Sequence, residues 1–179
     1  MGTLKRIQHL IRKNEGHEVK QQILGLFNSI KIMIDNLLRG RVHLPKKYIE
    51  KILLMDDQQE YTIFRHVKVD SKKESNTSKA VFKVRFKFAG LSSGINKYLS
   101  LIPVPFLIGL PGFREKYWTI NEETGFFQGI YQWESKEFAE KYPQSFIFKV
   151  MTKRSAPNSL TYEIIPNTDL SNYVEKFTK

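Results

Sequence analysis

The segment Lys79 to Ala89, KAVFKVRFKFA, alternates so strictly that it constrains the fold more than any other part of the chain. Phe82, Val84, Phe86 and Phe88 fall on one side, and Lys83, Arg85 and Lys87 on the other. A period of two belongs to a β-strand with one buried and one polar face. The strand therefore needs a cover on its apolar side, while its polar side must be solvated or paired. Neighbouring strands and covering helices have to come from the rest of the chain.

The residues that follow supply them. Gly94 to Ile102 carries Ile95, Tyr98, Leu99 and Ile102 at helical spacing, and the prolines at 103, 105 and 111 end it in an irregular apolar connection. Arg114 to Ile120 and Phe126 to Glu134 predict a hairpin around the turn Asn121-Glu122-Glu123-Thr124-Gly125. Ser135 is placed to cap a helix with Phe138, Ala139 and Tyr142, which Pro143 breaks, and more helix runs to about Lys153. Ser159 to Ile165 predicts a last strand, and Asp169 caps a short helix with Leu170, Tyr173, Val174 and Phe177 on one side. From residue 79 the order is strand, helix, strand, strand, helix, strand. That is the split βαβ order of the ferredoxin-like fold, so the fold class is α+β.

Ahead of it, residues 1–55 read as a helical segment. Leu4, Ile7, Leu10 and Ile11 recur at helical spacing up to a break at 14–16. A broad stripe of Val19, Ile23, Leu26, Phe27, Ile30, Met33, Ile34, Leu37 and Leu38 then ends near Gly40. The stripe is expected to cover the following domain or to form a dimer contact. A third, short helix is expected to begin at Pro45 and to bury Ile49, Ile52 and Leu53. Residues 56–78 hold a strand, Glu60 to Val69, and a polar loop, SKKESNTS. The domain proper runs from 79 to 179.

Composition excludes several classes of function. The chain has no cysteine, which removes disulfides, thiolate metal sites and cysteine nucleophiles, and a reducing cytoplasm is the expected location. The apolar run 101–110 is interrupted by two prolines and is too short for a membrane span, which needs about 20 residues. The N-terminus lacks the pattern of a signal peptide. The net charge is +11, and residues 1–55 carry 11 Lys+Arg against 4 Asp+Glu. That bias keeps nucleic acid or an anionic membrane surface open as alternative partners for a non-enzymatic module. The RNA-binding reading is weakened at the strand 79–86, which lacks both glycines of the RNA-recognition strand motif.

The stretch GFREKYWTINEETGFFQGIYQWES, followed by a helix and MTKRSAPNSLTYEIIP, resembles the dimeric α+β-barrel proteins of the antibiotic-biosynthesis monooxygenase superfamily, nearest to its uncharacterised members. Trp118, the turn 122–125 and Gly129-Ile130-Tyr131-Gln132-Trp133 carry the likeness, which covers roughly residues 79–168. The resemblance implies a homodimer of two sheets and, in each subunit, a small pocket between sheet and helices. Some members oxidise aromatic polyketides without a cofactor and others degrade haem through a histidine. Here His9, His17, His43 and His66 all precede the matching region, so no haem and no other cofactor is expected. No pair of histidines stands at metal-ligand spacing, and no metal site is expected.

The residues themselves offer one candidate pocket. Trp118, Tyr131 and Trp133 lie on the paired strands of the hairpin and could wall a cavity for a flat ligand, although a core or dimer-interface role is the plainer reading of them. Gly129 leaves room beside them, and the connection 101–110 is expected to form a lid with Phe106 as its bulkiest member. Phe86 completes the ligand-binding set, with Arg114 as a candidate grip for a carboxylate or phosphate and Arg154 nearby. The expected ligand is a small aromatic or anionic molecule. No catalytic set is identifiable, so the residues do not decide whether the protein is an enzyme.

Overall fold

The computed structural model describes residues 24–71 and 78–179. The expected helix through Leu4 and Leu10, with His9 and His17, and most of the polar loop lie outside the described residues.

One antiparallel sheet organises the molecule. Its strands are β1 (Val42–His43), β2 (Ile52–Leu54), β3 (Glu60–Val69), β4 (Ala80–Phe86), β5 (Phe113–Ile120), β6 (Phe127–Trp133) and β7 (Thr161–Pro166). They lie in the order β1-β3-β5-β6-β4-β7, with β2 also against β3. Strands β5, β6, β4 and β7 form the ferredoxin-like four, in the arrangement that the sequence order predicts. The helices between them are α2 (Ser93–Leu99), α3 (Val104–Ile108), α4 (Lys136–Lys141) and α5 (Phe146–Arg154), with α6 (Leu170–Phe177) at the end. Strand β3 extends this sheet at the free edge of β5, with a register shift between Ile63 and Arg65.

The alternation of β4 holds in three dimensions. Phe82, Val84 and Phe86 point to the face covered by α3, α4 and α5, where they join Trp118, Phe127, Tyr131 and Trp133 in one core. Val81 points to the opposite face, into a second core with Tyr61, Ile63, Tyr117 and Ile130. The chain covers that second face itself: Leu170, Val174 and Phe177 of α6, together with Tyr48, Leu53 and Met55, close over it. Asp169 holds the start of α6 by accepting a bond from Ser171 N (2.9 Å). A sheet-to-sheet dimer would have to use the face that α6 occupies. Two of the three cations expected on that polar side are engaged within the chain. Lys83 pairs with Glu163, and Arg85 donates to the Tyr61 hydroxyl (2.8 Å) and lies over the Phe126 ring.

Three local expectations are corrected. The segment after Pro45 is turn rather than helix, because Glu50 takes a positive φ of 70°, and Ile52–Leu54 pairs with β3 as a strand. The proline-rich connection contains helix α3, since Pro103 and Pro105 sit at its first positions, where backbone N–H groups have no helical partner. The first described helix, α1 (residues 24–38), meets α3 through Ser29 and Asn36 together with Met33 of its apolar stripe, while most of the described stripe takes no part. Asn36 Nδ2 donates to the Ile108 carbonyl (2.9 Å). A Cβ on Gly109 would come within 2.1 Å of the Ser29 carbonyl oxygen, so only glycine permits this close approach. Leu26, Phe27, Ile34, Leu37 and Leu38 remain exposed.

Candidate functional site

Between the helix-covered face of the sheet and α2, α3 and α5 lies a cavity of about 190 Å³. Its floor comes from β4, β5 and β6: Phe86, Lys116, Trp118, Phe127, Gly129 and Tyr131. Its roof comes from Leu99, Ile102, Pro103 and Phe106 on one side and from Phe146, Ile147, Val150 and Met151 on the other. The hairpin register sets Trp118 directly opposite Gly129, and Lys116 opposite Tyr131. A Cβ at position 129 would lie 2.7 Å from the Tyr131 ring, so the space that glycine leaves is taken by Tyr131 itself.

Four of the six residues expected at a pocket thus meet here: Phe86, Phe106, Trp118 and Tyr131. The other two do not. Trp133 is 1% exposed, packed edge-on to Phe113 and against Tyr142, with its indole N–H buried and unpartnered. Arg114 sits past an irregularity in β5, between Phe113 and Glu115, and pairs with Glu134 in a separate polar cleft. Arg154 does reach the cavity wall, where it lies over Phe88 and donates to Asn96 Oδ1 (3.2 Å).

The residue that changes the chemistry of the cavity is Lys116. It is 5% exposed, and its Nζ lies 4.0 Å from the Trp118 ring centre and 4.3 Å from that of Tyr131. No carboxylate among the described residues pairs with it. Burial, with repulsion from Arg65 added, holds its ammonium well below the ordinary lysine range. Arg65 is fixed at the rim by bonds to the Lys97 carbonyl (3.2 Å) and to Ser100 Oγ. Burial thus favours the neutral form of this amine, the form that can accept a proton or act as a nucleophile.

Two hydroxyls complete the polar equipment. Tyr142 donates to the Tyr131 hydroxyl (3.0 Å), both groups being buried. Burial pushes both hydroxyls upward from the ordinary tyrosine range, so they stay protonated and can donate.

His66, the histidine on an expected strand, faces away from this cavity. It lies on the α6-covered side, its Nε2 2.7 Å from Glu115 Oε1 and its ring stacked on Tyr117. Among the described residues no group of three or more potential metal ligands forms, and no helix is long and apolar enough to cross a membrane.

The strand order and this cavity define a ferredoxin-like α+β protein with an aromatic, amine-bearing pocket between sheet and helices. No protein-family profile matches the sequence, and no curated protein is significantly similar to it. Three solved structures are similar in fold. One is an uncharacterised ferredoxin-fold protein related to antibiotic-biosynthesis monooxygenases, from Listeria monocytogenes, with 12% identity over 76% of this chain and 88% of that one, and a TM-score of 0.45. A candidate monooxygenase from Fusobacterium nucleatum has 11% identity over 60% of this chain and a TM-score of 0.43; the match spans about half (49%) of its length. An anthrone oxidase-like protein has 17% identity over 62% of this chain and 57% of that one, with a TM-score of 0.41. The chemistry must be argued from the cavity itself.

Proposed function

We propose that this protein binds a flat, largely apolar aromatic molecule of one or two rings in the cavity beside Trp118. The observation that carries the reading is the wall itself: rings from three strands and two helices surround a space that holds one buried amine. A cavity of about 190 Å³ exceeds the ~150 Å³ of an apolar protein cavity that admits benzene. It falls below the roughly 300 Å³ at which drug-sized sites begin. A small ring system fits; a larger one would have to extend past Phe106, which is 37% exposed at the mouth.

The two tryptophans provide the test, because Trp118 lines the cavity and Trp133 does not. Nitronaphthalene should quench the wild type saturably, and the quench should survive in Trp133→Phe but largely vanish in Trp118→Phe. Equal quenching in both variants would place the ligand elsewhere. The sequence resemblance extends the reading to oxygenation of a bound ring. Oxygen uptake with a dihydroxynaphthalene as substrate tests that extension, and turnover unaffected by filling the cavity through Val150→Trp would remove it.

A further inference from the structure

We propose that Lys116 is a reactive amine that condenses with the carbonyl group of an aromatic aldehyde or ketone seated in this cavity. The inference rests on the ligand-binding reading above and adds the class of substrate.

Its basis is geometric. The Nζ of Lys116 stands against the faces of Trp118 and Tyr131, with no carboxylate among the described residues to hold it as an ammonium ion. Lys116, Trp118 and Tyr131 line one cavity, so a carbonyl carbon on a ring seated against Trp118 meets the nitrogen without crossing solvent. The reaction balances without oxidant or reductant. The amine lone pair forms a C–N bond as the C=O π bond opens to a carbinolamine. The oxygen then leaves as water with the two protons that the amine carried, and C=N remains. The Tyr131 hydroxyl, bonded to Tyr142, can relay one of these protons, giving its own to the departing oxygen and regaining one from the nitrogen. Loss of water is favoured in an apolar wall, and the cationic form of the Schiff base finds the two ring faces that already flank the nitrogen. The depressed basicity of the amine agrees with this role, because each unit of depression raises the free-amine fraction near neutral pH about tenfold.

The experiment is trapping with 2-naphthaldehyde and cyanoborohydride on the full chain at pH 7, read by intact mass and peptide mapping. The expected result is a single naphthylmethyl group on Lys116, formed at least about tenfold faster than on any solvent-exposed lysine. Naphthalene should compete with it, and Lys116→Met should abolish it in a variant that still unfolds in one cooperative transition. Labelling spread over surface lysines, with the quench intact, would overturn the Schiff-base assignment and leave the binding reading standing. Absence of both labelling and quench would overturn both.

Discussion

At the scale of the residue, Lys116 ties stability to function. An amine buried without a counter-ion costs folding energy, because burial weakens its hold on the proton that the unfolded chain keeps. Stability should therefore rise with pH across the window between the depressed folded value of Lys116 and about 10.4, where the unfolded lysine also loses its proton. Lys116→Met, similar in length and apolar, should raise the melting temperature at neutral pH and flatten that rise; a variant that melts lower with an unchanged pH profile would contradict this assignment. The sequence contained the signal for this residue. Alternation along β5 puts Lys116 in one row with Trp118 and Ile120, a charged group on an apolar face. In a chain with 29 lysines and arginines, one more cation draws no attention. Arg114 belongs to the same row by parity, but the irregularity after Phe113 breaks the alternation and delivers it to Glu134. Trp133 obeys the parity and lies under Tyr142, so only tertiary packing separates it from the cavity.

At the scale of the element, strand identity was legible and helix docking was not. The strict pattern of β4 and the turn closed by Asn121 and Gly125 are local, and local physics decides them. The apolar stripe of α6 was equally visible, but a stripe does not say which surface it covers. It covers the second face of the sheet, where Leu170 is fully buried. Leu170→Ala should accordingly cost about 2–5 kcal/mol in denaturant unfolding, the range for buried leucines; a cost below about 1 kcal/mol would mean that α6 is not docked there. For α1 the pattern tells less. The contact with α3 requires the small Ser29 opposite Gly109 and takes only Met33 from the stripe, whose residues Leu26, Phe27, Ile34, Leu37 and Leu38 stay exposed.

At the scale of the whole molecule, the docking of α6 restricts which surface a second copy of the chain could use. The homodimer implied by the sequence resemblance stands as a proposal about some surface other than the α6-covered sheet face. Hydrogen exchange on a dimer isolated by sedimentation tests this: residues 170–177 should stay protected upon association, whereas their exposure would show that α6 leaves to admit a second sheet. The central claim concerns the cavity, and one diffraction measurement reaches it without any assumption about reactivity. Crystals grown with bromonaphthalene report the position of the ring by the anomalous signal of bromine. The account predicts a bromine peak between Trp118 and Phe106, within contact distance of Lys116. A peak only on the exposed residues of α1 or α2, with none between sheet and helices, would contradict it.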